Sequence, residues 1–310
     1  MPAPAPGARF AGVHPVLHTP FGSGPAQPVV HEELGALVES MVGAGVQGVV
    51  ALGLASEAPA LTEAERDAVC ATVAGALDGR LSFTVGIDGL TAVAADRARR
   101  AVELGASALM VIPPAAAQTP DQVVEHFSQV ADAGGGAPVL VQDAPQVTGV
   151  KLDLDLLERL AASHPLVRSV KSEGLGSGPK VSRLVATGLE VMAGWGGLHY
   201  PESLERGASG CMPGCDLAPA LLAIHDAVGA GHGDEADRLY RAILPLLAYE
   251  TQSLAHLVLG EKRALRRAGL FTHDAMRAPA PSLDSVQVRA FDALFDRLAA
   301  DGIPGPWAPV

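Results

Sequence analysis

The chain has 310 residues, of which 48% are hydrophobic and 18% charged, and its formal net charge at pH 7 is −12. This length fits one domain of roughly 250 residues with an appendage, and the apolar content allows a large core. The acidic balance disfavours nucleic acid and anionic membrane surfaces as partners, because both are negatively charged. Small anionic substrates stay possible, since backbone N–H groups or one lysine can bind them inside a pocket.

The N-terminal residues 1–10 are predicted to form a flexible tail rich in Pro and Ala. This segment lacks the long apolar region of a signal peptide. Elsewhere a charged residue or a glycine interrupts each apolar stretch before ten residues, which is too short to span a bilayer. We therefore expect a cytoplasmic protein that has no membrane partner.

Short apolar segments alternate with longer amphipathic segments through the first two thirds of the chain. Eight of the apolar segments are predicted strands: Gly12–Thr19, Gly48–Leu52, Leu81–Gly86, Ala108–Ile112, Pro138–Gln142, Val167–Lys171, Leu189–Ala193 and Ala208–Met212. Most are apolar throughout, which is typical of parallel strands that are buried on both faces. Six predicted helices separate them: Glu32–Ala44, Thr62–Leu77, Thr91–Leu104, Pro120–Ala133, Leu154–Ala162 and Pro179–Thr187.

Strands that alternate with helices form either a closed barrel or a doubly wound sheet. No G-x-G-x-x-G follows the first strand, which disfavours a dinucleotide-binding sheet. We therefore predict an α/β fold, a (β/α)₈ TIM barrel, over residues 11–216. Residues 217–310 contain no convincing strand and are predicted to be a helical extension, with helices at Leu217–Gly229, Gly233–Ser253, Leu254–Ala268 and Ser285–Ala300. We expect this extension to pack on the flank of the barrel and to form contacts in a homo-oligomer.

The functional residues of such a barrel collect where its strands end, and Lys171 ends the sixth strand. Burial lowers the pKa of an amine, and a neutral amine is the nucleophile that attacks a ketone. The alternative is a lysine whose ammonium reaches past the rim into solvent. From the strand alone both interpretations stay open.

Three other strand ends carry candidate residues. After the second strand, a turn contains Ala55, Ser56 and Glu57. Its backbone N–H groups or the Ser56 hydroxyl can bind a substrate carboxylate. The alternative is a plain turn in which Ser56 and Glu57 are only local caps. Gln142 ends the fifth strand, and we favour substrate contact for it. After the seventh strand, the glycines of Gly194–Gly197 let a ligand approach the backbone, and Trp195 is predicted to wall the pocket.

Cys211 and Cys215 have a C-x₃-C spacing that can indicate metal or redox chemistry. No second pair and no nearby histidine cluster completes such a site, so we favour two small buried residues. The histidines are scattered without ligand spacing. The sequence therefore predicts neither a metal nor another cofactor.

Several segments in this order and spacing resemble the dihydrodipicolinate synthase and N-acetylneuraminate lyase family across nearly the full length. They are Gly12–Pro15 with Thr19–Phe21, Gly45–Gly48, Gly53 with Glu57, Leu61–Arg66, Pro113-Pro114, Pro145 with Thr148-Gly149, Val170-Lys171 and Gly207–Gly210. The resemblance implies a barrel with a helical C-terminal extension, usually a homotetramer. It also implies that Lys171 forms a Schiff base with a 2-keto acid.

Departures from the synthases point to another branch of the family. The Thr-Thr pair, the Tyr-Asn pair and the paired Tyr of the synthases are replaced here by Leu54-Ala55, Gln142-Asp143 and Ala115-Ala116, and their Arg by Val147. Synthesis of dihydrodipicolinate is therefore not expected. Ser56-Glu57, Val141–Pro145, Lys171 with Glu173, Trp195–Gly197 and Gly207–Met212 are similar to the 2-keto-3-deoxy-sugar-acid dehydratases, of which L-2-keto-3-deoxyarabonate dehydratase is the nearest type.

This resemblance implies dehydration through a Lys171 imine, with a small-molecule 2-keto acid as the ligand. Protons would then be transferred by Ser56, by a water held by Gln142, by Glu173 or by the substrate's own hydroxyl. The residues expected to contact the substrate are Ala55, Ser56, Glu57, Glu173, Trp195, Gly196 and Gly197. One alternative is a pyruvate-dependent aldolase or hydratase-aldolase. Another is a non-catalytic keto-acid-binding homologue, which the missing aromatic hydroxyls favour and the retained lysine disfavours.

Overall fold

A computed structural model describes residues 10–174, 176 and 178–307. The predicted N-terminal tail lies outside these residues except for Phe10, which is 1% exposed. The backbone N–H of Phe10 donates a hydrogen bond to Glu190 Oε2 at 3.0 Å. Phe10, one residue before the predicted start of the barrel, is therefore buried against it.

Eight parallel strands form one sheet, in the order β1-β8-β7-β6-β5-β4-β3-β2. They are β1 Gly12–Val13, β2 Gly48–Ala51, β3 Ser82–Ile87, β4 Ala108–Val111, β5 Val139–Asp143, β6 Val167–Ser172, β7 Glu190–Ala193 and β8 Gly210–Cys211. A parallel bridge between Val16 and Val50 joins the first strand to the second. This bridge closes the sheet, so the predicted barrel is confirmed.

The first strand is shorter than the predicted Gly12–Thr19, because regular pairing stops at Val13. Pro15 has no N–H with which to continue the ladder. The segment still holds its place, since the N–H of Val16 bonds to Pro213 O and that of Leu17 bonds to Val50 O, each at 2.8 Å. The segment after β1 therefore remains part of the barrel wall without regular strand geometry.

Helices connect the strands, as predicted, and short helical turns lie in the loops after β2 and β7. The barrel helices are α1 His31–Ala44, α2 Glu63–Leu77, α3 Thr91–Glu103, α4 Pro120–Ala133, α5 Pro145–Thr148, α6 Leu154–Ser163, α7 Gly178–Ala186 and α8 Tyr200–Glu205. A capping box begins α2, in which Thr62 Oγ1 accepts from Glu65 N at 3.3 Å and Glu65 Oε2 accepts from Thr62 N at 2.9 Å. No helix within the described ranges is long and apolar enough to cross a membrane.

The extension contains α9 Ala218–Gly229, α10 Gly233–Glu250, α11 Leu254–Arg267 and α12 Ser285–Ala300. The extension was predicted to pack on the flank of the barrel, but α11 also reaches the barrel interior. Leu257 and Val258 of that helix are buried in one cluster with residues from the barrel interior, namely Val16, Val50, Met110, Leu140, Met192 and Met212. Alternate strand residues face the inside of a barrel, so α11 packs onto the C-terminal end of the barrel interior.

Two glycines form the closest approach between β1 and β8. A Cβ atom on Gly210 would lie 1.9 Å from the carbonyl oxygen of Gly12. We expect Gly210→Ala to lower the free energy of unfolding by about 1–3 kcal/mol, since the backbone must move. Gly75→Ala is the matched control, because Gly75 lies in α2 with no atom near its missing Cβ, and it should stabilise by about 0.5–1 kcal/mol. Urea unfolding of both variants measures this, and equal effects would contradict it.

Candidate active site

Lys171 lies inside the barrel at the C-terminal end of β6. It is paired in register with Gln142 on β5 and Met192 on β7, and the Met192 side chain belongs to the interior cluster. Only 5% of the lysine side chain is exposed, so it does not reach past the rim to solvent. Its Nζ atom lies 3.2 Å from Oε1 of Glu173. The lysine is therefore enclosed in the apolar interior beside one carboxylate.

Glu173 is held in place by β5 and by the loop after β7. Gln142 Nε2 donates a hydrogen bond to its Oε2 at 2.7 Å, and the backbone N–H of Trp195 donates to Oε1 at 3.3 Å. Gly194 leaves room for the side chain, since a Cβ there would lie 2.3 Å from Glu173 Cγ. Two donors and the Lys171 ammonium together compensate a buried carboxylate for the loss of water. The structure thus brings Lys171, Glu173, Gln142 and Trp195 together.

Gly196 and Gly197 have positive φ angles of 66° and 88°, which favour glycine. The structure directs them towards the C-terminal extension. A Cβ on Gly197 would lie 2.9 Å from Leu221 on α9, and one on Gly196 would lie 3.4 Å from Leu247 on α10. These glycines therefore let the β7 loop pack against the helices, and their predicted substrate contact stays a prediction.

Ser56 is 1% exposed, and backbone groups of the barrel wall use its hydroxyl. Its Oγ donates to Leu17 O at 2.6 Å and accepts from Gly53 N at 3.1 Å. Its own N–H donates to Gly53 O at 3.1 Å. The neighbouring Ala55 lies in the interior cluster. Ser56 therefore fixes the strand-two loop against the chain after β1. Its hydroxyl is not free for the proton transfer that the sequence predicted.

Glu57 connects the strand-two loop to α11. Its Oε1 accepts a hydrogen bond from Lys262 Nζ, and its Oε2 accepts one from the backbone N–H of Arg277 at 2.9 Å. The side chains of Lys262 and Glu57 are 0% and 4% exposed. Burial lowers the pKa of Lys262 in spite of this partner. Both oxygens of Glu57 are therefore occupied by the extension, which favours a structural role over its predicted substrate contact.

A small cleft opens beside the strand-two loop. Its lining includes Gly53 and Leu54 of that loop, Ile112 after β4 and Gln142 at the end of β5. Gln142, in the lining of this cleft, is the register neighbour of Lys171. The adjacent Asp143 instead accepts from Lys180 Nζ at 2.6 Å and belongs to the barrel wall.

Sequence reasoning missed a second set of buried charges in the same end of the barrel. It contains His18, Asp216, Glu250, Glu261 and Lys262, each of them buried. A signal was present in α11, where Glu261 follows Leu257 and Val258 at helical spacing and so lies on the apolar face. A charge on the buried face of a helix requires a partner in the interior, and that requirement points to the barrel mouth.

The two cysteines of the C-x₃-C segment, Cys211 in β8 and Cys215 after it, are both buried. Burial raises the pKa of Cys215 well above its ordinary value, and Cys215 donates a weak hydrogen bond to Val16 O at 3.4 Å. Cys211 is also fully buried. In the ranges that the structure describes, no group of three or more His, Cys, Asp or Glu side chains could hold a metal ion.

A closed (β/α)₈ barrel with buried polar side chains at its strand ends defines a TIM-barrel enzyme. The family model described as the Dihydrodipicolinate synthetase family matches residues 9–297, and the chain belongs to this family. The chain is a lyase, as its relatives are.

Three relatives place the chain within the family. It is 31% identical to L-2-keto-3-deoxyarabonate dehydratase of Azospirillum brasilense over 284 residues, which cover 89% of this chain and 90% of the dehydratase. It is 32% identical to 4-hydroxy-tetrahydrodipicolinate synthase 1 of Streptomyces coelicolor, with 86% and 87% covered. The solved dihydrodipicolinate synthase of Rhodopseudomonas palustris superposes with a TM-score of 0.87 at 28% identity, covering 93% of this chain and 97% of that one.

The buried pair of Glu57 and Lys262 should be essential to stability. Lys262→Met leaves the Glu57 carboxylate buried without its cation, and we expect it to lower the free energy of unfolding by about 3–5 kcal/mol. The double variant with Glu57→Gln should recover part of the loss, since no buried charge is then left unpaired. Urea unfolding measures both, with Lys151→Met at an exposed lysine as control. A loss from Lys262→Met no larger than that of the control would contradict this role.

Proposed function

We propose that this chain is a Schiff-base-forming lyase of 2-keto acids, and that it dehydrates a 2-keto-3-deoxy sugar acid through an imine on Lys171. The observation that carries the proposal is the Nζ atom of Lys171, buried inside the barrel 3.2 Å from the Glu173 carboxylate. An amine in apolar surroundings can reach its neutral, nucleophilic form, and a carboxylate beside it can take the proton.

In the proposed reaction the neutral amine of Lys171 attacks the C2 carbonyl of the substrate. A C–N bond forms, the carbonyl oxygen leaves as water, and a protonated imine remains. The imine withdraws electrons from C3, so a base can remove a proton from that carbon to give an enamine. The enamine then expels the C4 hydroxyl as water, and hydrolysis of the imine releases the product and the lysine.

Glu173 is the group best placed to carry the proton from C3 to the departing C4 hydroxyl. It contacts Lys171, and its hydrogen bonds from Gln142 and Trp195 fix the carboxylate while one oxygen faces the amine. With Gln142 where the synthases have a tyrosine, the chain has no phenolic hydroxyl at this position. One acid-base group typically contributes about 10²–10⁴-fold to a rate, so a replacement for that hydroxyl is needed.

The substrate carboxylate would be held at the strand-two loop, where the N–H of Ala55 points out of the first turn of a short helix. The N–H of Ser56 would join it only after leaving Gly53 O. The half-buried indole of Trp195 would border the sugar chain beside Glu173.

The dehydration is favoured over aldol cleavage by the likeness to L-2-keto-3-deoxyarabonate dehydratase, with 31% identity over most of both chains. Both reactions pass through the same imine, and the choice depends on whether the C4 hydroxyl leaves or the C3–C4 bond breaks. An acid beside C4 promotes the departure of water, and Glu173 supplies one. Release of pyruvate from the substrate would instead indicate the aldolase.

Trapping with borohydride tests the imine. We expect the chain mixed with pyruvate, or separately with 2-keto-3-deoxy sugar acids, to gain a covalent adduct that peptide mapping assigns to Lys171. Lys171→Met should gain none, whereas the exposed control Lys151→Met should react like the original chain. Folded protein without an adduct from any of these acids would overturn the mechanism and favour a binding protein.

Exchange of the pyruvate methyl protons in D₂O, followed by NMR, tests Glu173. Glu173→Gln keeps the shape of the side chain but cannot take a proton, so the exchange rate should fall by about 10²–10⁴-fold. The borohydride adduct should still form at saturating pyruvate, because the lysine is intact. Glu39→Gln, at an exposed glutamate paired with Arg80, is the control. Exchange that continues unchanged in Glu173→Gln would assign the proton transfer to another group.

A further inference from the structure

Gln142 is a polar side chain of β5 that enters the interior of the barrel. It lies two residues after Leu140, whose side chain belongs to the interior cluster, and alternate residues of a strand share one face. Its register partner on β6 is Lys171. Only 3% of the residue is exposed, so the polar atoms of its amide need hydrogen-bond partners from the protein or from a ligand.

The contact with Glu173 fixes the direction in which this amide faces. Glu173 is paired with Lys171 at 3.2 Å, and an ionised carboxylate only accepts hydrogen bonds. The part of the Gln142 amide that lies 2.7 Å from Glu173 Oε2 must therefore be the NH₂ group. Turning the amide over would place two oxygens at this contact, where they repel each other. The amide oxygen Oε1 is therefore held on the side that points away from Glu173.

This amide oxygen is open to a ligand. Among the described residues no donor is hydrogen-bonded to Gln142 Oε1, yet the atom is not sealed from solvent. Gln142 also belongs to the lining of the small cleft beside the strand-two loop. A ligand hydroxyl that enters the cleft can therefore donate to Oε1 without displacing a protein group.

The other described residues that line the cleft offer a ligand few polar groups. Asp88 is charged, but its Oδ1 accepts from Arg66 at 2.7 Å and from Arg97 at 2.9 Å, and its Oδ2 accepts from Arg66 at 3.1 Å. The remaining lining residues are glycine, alanine, proline, leucine or isoleucine, among them Leu54 and Ile112. An apolar lining with one open acceptor favours a carbon chain that carries one hydroxyl at this point.

An acceptor suits a hydroxyl that remains on the substrate. The C4 hydroxyl, which leaves as water in the proposed reaction, must gain a proton, and a carbonyl oxygen has none to give. A hydroxyl beyond C4 can donate to Gln142 Oε1 and is not changed by the reaction. Because the same amide holds Glu173, which acts at C3 and C4, the nearest such group along the chain is the C5 hydroxyl.

We propose that Gln142 selects substrates that carry a C5 hydroxyl, with its Oε1 accepting a hydrogen bond from this hydroxyl while its Nε2 holds Glu173. The inference rests on the proposed Schiff-base function and narrows its substrates to 2-keto-3-deoxy acids of at least five carbon atoms. One side chain then joins recognition of the substrate chain to the placement of the acid-base group. Without the hydroxyl, a buried acceptor would be left unpaired by the bound substrate, which weakens binding.

Two keto acids that differ only in this hydroxyl test the selection: 5-hydroxy-2-oxopentanoate and 2-oxopentanoate. Neither has a C4 hydroxyl, so each forms an imine without losing water or breaking the C3–C4 bond. Borohydride trapping at graded concentrations gives the half-saturating concentration of each acid. The ratio of the two concentrations is the readout, because effects that both acids share through Lys171 and Glu173 cancel in it.

Gln142→Met keeps the length of the side chain and removes its amide. We expect the preference for the hydroxylated acid to fall by about 3–10-fold, the range of one hydrogen bond. Gln129→Met is the matched control, because the exposed Gln129 also donates from Nε2 to a glutamate, Glu125 Oε1, at 2.9 Å. This control should keep the original preference.

Gln142→Asn provides a second test if Gln142→Met does not fold. It keeps an amide but withdraws it by one methylene, so the amide cannot contact Glu173 and the C5 hydroxyl together, and the preference should again fall. An unchanged preference in the variants would overturn the selection by Gln142, even with a lower melting temperature, because the amide would then be structural only. An original chain that traps pyruvate but neither longer acid would also overturn it and leave the Schiff-base function standing. Absence of any adduct, with pyruvate included, would overturn the proposed function itself.

Discussion

The closed barrel imposes one constraint on which the rest of the structure depends: a charge inside it has little water and needs a partner. The bridge between Val16 and Val50 completes the closure, and an apolar cluster fills the interior. A buried charge that loses its partner is strongly destabilising, whereas a paired one is tolerated. Two buried ion pairs at the C-terminal end of the strands meet this requirement, Lys171 with Glu173 and Lys262 with Glu57.

The same constraint explains why the C-terminal extension is part of the enzyme. Helix α11 contributes Leu257 and Val258 to the barrel interior and carries Glu261 and Lys262 on the same buried side. The apolar residues seal the mouth, and the two charges find partners among side chains that follow β1 and β2. A proposed boundary at residue 216 therefore separates segments that share one core. Oligomerisation, as a tetramer or a dimer, stays a prediction.

Local chemistry explains which elements were predicted well. Continuous runs of Val, Leu and Ile predicted the buried parallel strands, and the Thr62–Glu65 capping box predicted the start of α2 within one residue. The first strand was predicted too long, because Pro15 interrupts a run that is otherwise apolar. Trp195, Gly196 and Gly197 were predicted at a strand end correctly, yet two of the three face helices that are distant in the sequence.

The sequence by itself determined the barrel, the family and the position of Lys171 at the end of a buried strand, because strand periodicity and short motifs are local. Only the tertiary structure decided the partners: Gln142 and Trp195 hold Glu173, the Ser56 hydroxyl is engaged by the barrel wall, and Glu261 meets His18. These contacts join residues up to 243 positions apart. No local pattern specifies such pairs, since they arise when strand ends and a distant helix converge on one interior from which water is excluded.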